Sequence, residues 1–193
     1  MGTTENALTV EREVAAPTAA VWSVLADGWS YASWVVGTAR VRTVDDGWPT
    51  PGQRIHHSVG LWPLLLNDTT AVRESREPTR LVLEARGWPL GKAHVTVQVH
   101  PTGPRSCRVT IREDAVAGPG TLVPKVLRQG LIVPRNREAL RRLAQIAEGR
   151  ARDSTSDGAP EGLTDAASSS PVARASSSPV DPALSPDQPT NPA

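Results

Sequence analysis

The most constraining feature of this sequence is a long amphipathic segment between Gly120 and Gly149. Its opposite face carries Lys125 and several arginines. A helix of this length needs a large apolar surface, because packing rather than intrinsic propensity stabilises most helices in proteins. The apolar residues recur at steps of three and four, the period of one helix face, and they are Leu122, Val123, Val126, Leu127, Leu131, Leu140, Leu143, Ala144 and Ala147.

The residues before this segment predict strands that would supply the surface. Leu8 to Val14 alternates apolar and polar side chains, which is typical of a half-buried strand. Two short helices are expected after Pro17, the second from Trp29 to Trp34. The six further predicted strands are Thr38–Asp45, Gln53–Val59, Asp68–Ser75, Arg80–Gly87, Lys92–His100 and Ser106–Val116.

The short connections between these strands predict the fold class. Sequential strands joined by tight turns usually pair antiparallel. One face of the resulting sheet must be covered, and the C-terminal helix is the only element large enough. We therefore expect an α+β fold with a curved antiparallel sheet of about seven strands around a long C-terminal helix, with Pro134 kinking or splitting that helix.

The composition places a domain boundary near Gly149. Residues 150–193 are rich in Ser, Pro and Ala and hold few large aliphatic side chains. Such a segment buries too little apolar area to offset its ordering entropy. We expect a folded domain at residues 7–149 and a disordered tail at 150–193.

Charge and cysteine content exclude several classes of protein. The net charge of +1 gives no argument for nucleic-acid binding. Cys107 is the only cysteine, so an intrachain disulfide is excluded. The chain has no apolar run of membrane-spanning length and no secretory signal pattern at its start, so we expect a cytoplasmic protein.

The order of elements is accompanied by a set of residues in the first helices, the loop before the third strand and the last helix. They are Pro17, Val21, Trp22, Val24, Leu25, Asp27, Trp34, Trp48, Pro49, Pro51, Gly52, Ile55, Asn136, Ala139, Leu140 and Leu143. With these residues, the stretch 7–149 resembles the START/Bet v1-like superfamily, also called SRPBCC, and its polyketide cyclase/dehydrase-like branch in particular. The resemblance implies a helix-grip fold with an apolar cavity between sheet and helix, in a family of lipid and sterol carriers, cyclases and receptors.

Alternation along the strands selects the polar residues that would face this cavity. His57 shares a strand face with Ile55 and Val59, and the same reasoning turns Asp68 and Glu113 inward. A histidine beside a carboxylate suits general acid–base chemistry. We hypothesise that His57 is the acid or base, oriented by Asp68 or Glu113, with Tyr31 as a proton donor.

The simpler interpretation is that His57 is a core or rim histidine satisfied by a neighbour, and it is the favoured one. His56 and His57 are adjacent and should face opposite sides of their strand, so a shared metal is not expected. No cofactor is expected either. The expected ligand is a small apolar molecule, and its predicted contacts are Trp34, Ile55, His57, Val59, Trp62, Trp88, Val109, Ile111, Val126 and Leu127.

Three functions follow from this cavity. Binding of a small hydrophobic molecule is favoured, a cyclase or dehydratase using His57 is the first alternative, and a peripheral lipid carrier is the second. The carrier would use the apolar connection Leu61–Leu66, sequence LWPLLL, at a membrane surface. We favour a core or lid position for that connection, because soluble monomers rarely expose such patches. The oligomeric state is not predicted.

Overall fold

The computed structural model describes residues 8–87, 91–117 and 125–156. These residues form seven strands and three α-helices, the second of them preceded by a 3-10 turn at Gly28–Ser30. In chain order the elements are β1 (Leu8–Val14), α1 (Thr18–Ala26), α2 (Tyr31–Trp34), β2 (Thr38–Val44), β3 (Arg54–Leu61), β4 (Leu64–Arg76), β5 (Arg80–Gly87), β6 (Gly91–Gly103), β7 (Ser106–Ala117) and α3 (Lys125–Ser156).

All seven strands join one antiparallel sheet in the order β1-β7-β6-β5-β4-β3-β2. Strands β2 to β7 pair with their neighbours in sequence, and β1 closes the order beside β7. Short turns join β3 to β4, β4 to β5 and β6 to β7, whereas residues 45–53 form a longer loop between β2 and β3. The predicted fold class is therefore confirmed.

The C-terminal helix α3 packs against β1, β7, α1 and α2. Its buried face consists of Ala139, Leu140, Leu143, Ala144 and Ala147, at the spacing of one helix face. These residues join the inward side chains of the sheet and of α1 in a single hydrophobic core. Full burial of each leucine contributes roughly 1.5–3 kcal/mol, which is why this face fixes the position of the helix.

Pro134 was expected to kink the helix or to split it in two. A split is wrong, because α3 runs as one helix from Lys125 to Ser156. Proline removes the hydrogen bond to the carbonyl four residues earlier and crowds it. That carbonyl belongs to Gly130, which is exposed to solvent. Water can hydrate it there, so the helix continues.

The helix also ends later than the sequence indicated, at Ser156 rather than near Gly149. Two contacts explain the extension. Arg150 donates to an Asp27 carboxylate oxygen at 2.7 Å and to the Ser23 carbonyl at 2.8 Å, and Ala151 packs against the core. The remainder of the predicted tail, residues 157–193, lies outside the described residues.

The connection Leu61–Leu66 is mostly strand rather than loop, and its predicted core position is wrong. Leu61 ends β3 and pairs with Leu64 at the start of β4, so only Trp62 and Pro63 make the turn. Trp62 is 85% exposed and Leu64 is 80% exposed. The hairpin extends past the end of its neighbour β5, and no described element covers it there.

Candidate functional site

A cavity of about 570 Å³ lies between the concave face of the sheet, α2 and the first half of α3. Most of its wall is aliphatic or aromatic, with a few polar groups, as in many small-molecule sites. Its apolar lining consists of Trp34, Val35, Val36, Val59, Leu83, Ala85, Ala93, Val95, Ile111, Leu131, Ile132 and Ala139.

The cavity exists because α3 touches the sheet closely over only part of its length. Leu140 and Leu143 are fully buried, whereas Leu131, two to three turns earlier, is 70% exposed and borders the opening. Small side chains at Ala85, Ala93 and Ala139 leave further room on the facing surfaces. A hydrophobic space is therefore left beneath the first half of the helix.

A chain of three hydrogen-bonded side chains forms the polar part of the wall. The Tyr31 hydroxyl lies 3.1 Å from Oγ1 of Thr70, and Nε2 of His57 lies 3.0 Å from the same oxygen. The Tyr31 and His57 rings are also in contact, with centroids 5.2 Å apart. Helix α2 positions Tyr31, because Asp27 accepts hydrogen bonds from the Trp29 and Ser30 amides at the preceding turn.

Burial keeps this chain uncharged near neutral pH. Desolvation lowers the pKa of His57 to about 4, and the positive charge of Arg42 acts in the same direction. Desolvation raises the pKa of Tyr31 to about 12, against the opposing hydrogen bond from Thr70. The site therefore offers a neutral imidazole, a hydroxyl and a phenol.

Two directions of donation are compatible with these contacts. If Tyr31 donates to Thr70 and Thr70 donates to Nε2, the ring proton of His57 lies on Nδ1. In the reverse direction Nε2 donates to Thr70 and Thr70 donates to the Tyr31 oxygen. In either case Nδ1 is buried and has no hydrogen-bond partner among the described residues.

A second polar cluster joins β7 to α3 at the cavity wall. Arg135 and Asn136 both donate to Oε2 of Glu113, the latter at 2.9 Å. Glu113 and Asn136 are buried. Because an unpaired buried carboxylate is costly, this cluster fixes the height of α3 above the sheet.

Asp68 lies on β4 directly opposite His57 and also lines the cavity. Its Oδ1 accepts from the Thr69 amide at 2.6 Å. Burial raises the pKa of its carboxyl group, although the Thr69 amide and the Arg86 charge oppose that rise. Thr70, rather than Asp68 or Glu113, is the residue that hydrogen-bonds the His57 ring.

The structure brings together only some of the predicted ligand contacts. Trp34, Val59 and Ile111 line the cavity with His57. Ile55 and Val109 are fully buried in the hydrophobic core and are not part of the cavity wall. Trp62 is exposed at the hairpin turn. Trp88 lies outside the described residues, as do the side chains of Val126 and Leu127.

Six polar residues of the wall are not among the predicted catalytic or ligand contacts: Thr38, Thr70, Arg86, Lys92, Arg135 and Asn136. Strand alternation places Thr70 on the same face as Asp68, so a signal for it existed. Arg135 and Asn136 follow Pro134 on the helix, and their contact with Glu113 depends on the rotation of α3, which periodicity alone does not fix.

Among the described residues, no group of histidine, cysteine and carboxylate side chains has the geometry of a metal site. His56 and His57 face opposite sides of β3, where His56 lies 3.3 Å from Oγ1 of Thr69 and His57 meets Thr70. No described helix is both long enough and apolar enough to cross a membrane.

The sequence profile of the family described as "Polyketide cyclase / dehydrase and lipid transport" matches residues 6–148. The chain belongs to this family. The matched region contains all seven strands and α1, α2 and most of α3, so the family assignment covers the whole cavity. No curated protein sequence matches the chain significantly.

Solved structures share the fold of this family member at low sequence identity. An aromatase/cyclase from Streptomyces sp. R1128 superposes with a TM-score of 0.59 at 17% identity, covering 77% of this chain and 96% of that chain. A START superfamily protein from Mycobacterium smegmatis gives 0.51 at 21% identity, covering 76% and 97%. A Thermobifida fusca protein gives 0.58 at 24% identity, covering 76% and 95%. Similarity at this level establishes the fold alone.

Replacing His57 with Gln should change the pH dependence of stability. The folded-state pKa near 4 lies below the ordinary value of 6.5, so the unfolded chain binds the proton first as pH falls. Wild-type stability should therefore drop relative to His57→Gln between about pH 6.5 and pH 4, by roughly 2–3 kcal/mol at pH 4.5. Urea denaturation of both proteins at pH 7.5 and 4.5 measures this difference.

The opposite effect of Asp68, whose pKa is raised, is present in both proteins and cancels in the comparison. Histidine-selective ¹⁵N NMR on the wild type should show a neutral His57 ring at pH 6. Parallel stability profiles, or a His57 titration midpoint above pH 6, would contradict the account of this site.

Proposed function

We propose that this protein binds a small, mostly apolar molecule that carries a hydroxyl or carbonyl group, inside the cavity between the sheet and α3. The carrying observation is the combination of about 570 Å³ of apolar space with a buried, uncharged hydrogen-bonding chain at its wall. Apolar surface supplies affinity in such sites, and a few fixed polar groups orient the ligand.

The polar chain suits an uncharged ligand group rather than an ionised one. Tyr31, Thr70 and His57 are all neutral near pH 7, so they offer hydrogen bonds without a counter-charge. A ligand hydroxyl or carbonyl brought to this wall would exchange hydrogen bonds with them and would lose little by leaving water.

Acid–base catalysis on a polyketide-like substrate is the first alternative, and it rests on the same residues. Hydrogen bonds through Thr70 connect a proton donor, Tyr31, to a proton acceptor, His57. A cyclisation would need both groups. A base with a pKa near 4 is weak at neutral pH, however. We therefore place ligand binding ahead of catalysis.

A lipid carrier that docks on membranes is the second alternative, favoured by the exposed end of the β3–β4 hairpin. Trp62, Leu64, Leu65 and Leu66 are all exposed there. Val59 lines the cavity and pairs with Leu66, so the apolar end lies beside the cavity opening. Large exposed apolar patches commonly mark protein or membrane contacts.

Filling the cavity should abolish binding. Ala93→Trp places an indole in the cavity wall and should weaken binding of the uncharged apolar dye Nile red at least tenfold, measured by fluorescence titration. The matched control is Ala39→Trp, at an exposed position of β2 that does not line the cavity. Equal affinities for the two folded variants would contradict the proposal.

The carrier alternative predicts that the wild-type protein floats with phosphatidylcholine/phosphatidylglycerol vesicles in a density gradient. The double variant Trp62→Ser, Leu64→Ser should remain in the bottom fraction, because it removes the apolar end of the hairpin. Val116→Ser, at an exposed position of β7, is the control and should float like the wild type. Wild-type protein that fails to float, with or without the anionic lipid, would rule the carrier out.

A further inference from the structure

The sheet opens between its β4 and β5 strands near the cavity. Pairing of these strands runs from Arg76 opposite Arg80 to Thr70 opposite Ala85, where it stops. Beyond that point residues 64–69 of β4 pair only with β3, and the last two residues of β5 pair only with β6. The ends of the two hairpins are therefore not hydrogen-bonded to each other, and this unpaired stretch is a gap in the sheet.

Arg86 lies on the part of β5 that does not pair with β4. It lines two hollows, one on each side of the sheet. One is the apolar cavity. The other is a hollow of about 190 Å³ on the outer face, whose lining includes Arg54, Thr69, Arg73 and Glu84. On the cavity side, Arg86 is close enough to Asp68 for its charge to affect the pKa of that carboxyl group.

The outer hollow has an excess of positive charge. Glu84 is a buried carboxylate of its lining, to which Arg73 donates, and Lys92 lies 3.3 Å from the Glu84 carboxylate. These partners hold the pKa of Glu84 at about 2, so it stays ionised. Arg86 forms no side-chain hydrogen bond or ion pair with another described residue.

Arg54 also has no such partner for its side chain in the described part of the chain. Arg54, Arg73, Arg86 and Lys92 outnumber Asp68 and Glu84 around the gap. Guanidinium groups match the planar geometry of a carboxylate and bind it through paired hydrogen bonds. Two arginines without a described side-chain partner, beside the unpaired stretch and the apolar cavity, have the chemistry to bind the anionic end of a mostly apolar molecule.

We propose that the preferred ligand is a single-chain carboxylate, with its hydrocarbon body in the cavity and its carboxylate at the gap, bound by Arg86 and Arg54. This inference rests on the proposed binding function and specifies the ligand class for the same cavity. Arg86 is the specificity-determining residue, because it is the one described residue that borders both hollows. The neutral side chains of Tyr31, Thr70 and His57 then form hydrogen bonds with any oxygen atom that the hydrocarbon body carries.

The test compares dodecanoate with 1-dodecanol, which share a chain and differ in the charged end. Each competes with Nile red for the full-length protein. The wild type should bind dodecanoate at least tenfold more tightly, since a charge-assisted pair contributes more than a neutral hydrogen bond. Arg86→Gln should weaken dodecanoate binding about tenfold, and Arg54→Gln by a smaller factor, with dodecanol affinity unchanged within twofold.

Arg12→Gln is the matched control, since it removes the same charge from an exposed position on β1. It should alter neither affinity. Equal affinity for the acid and the alcohol, or a loss in Arg86→Gln that affects both ligands alike, would overturn the inference and leave the binding function intact. Failure of the wild type to bind Nile red, dodecanoate and dodecanol would overturn both.

Discussion

The packing of α3 on the sheet is the constraint on which the rest of the structure depends. Leu140 and Leu143 bind the second half of the helix to the core, and Arg150 ties its end to Asp27. The first half is held by a polar contact instead, from Arg135 and Asn136 to Glu113. Because apolar packing holds the second half of α3 against the core and polar contacts hold its first half, a hollow remains between the first half and the sheet.

Both ionisable and uncharged polar groups belong to the cavity wall. The ionised residues near it either neutralise one another, as Glu113 and Arg135 do, or stand at its edge, as Arg86 does. The deeper groups, Tyr31 and His57, are kept neutral by burial. An apolar ligand with a polar end fits such a wall, because the apolar part meets aliphatic and aromatic side chains and the polar end meets these groups.

The sequence was sufficient for the fold because its two hydrophobic periods are strong and do not overlap. Alternation from Leu8 to Val14 and along the later strands predicted the sheet, and the three-and-four spacing around Leu140 and Leu143 predicted the helix. The same alternation turned His57, Asp68 and Glu113 inward, and the structure places all three in the cavity wall.

The hydrophobic pattern of a single strand or helix does not predict contacts that depend on strand register or on the rotation of a helix about its axis. The partnership of His57 with Thr70 follows from the β3–β4 register, and that of Glu113 with Asn136 from how far α3 is turned. The exposure of Trp62 depends on where the neighbouring strand stops pairing. A tryptophan beside a proline at a turn can either cover the end of the hydrophobic core or be exposed to solvent. The hydrophobic pattern does not distinguish between these two positions.

The space beneath the first half of α3 should hold a small molecule in the protein as its own host makes it. Native mass spectrometry of the full-length protein, purified gently from that host, should show an added mass of a few hundred daltons. Organic solvent should release this mass, and the Ala93→Trp variant should lack it. A wild-type preparation that carries only the polypeptide mass, and that gains none when incubated with a lipid extract of the host, would contradict this expectation.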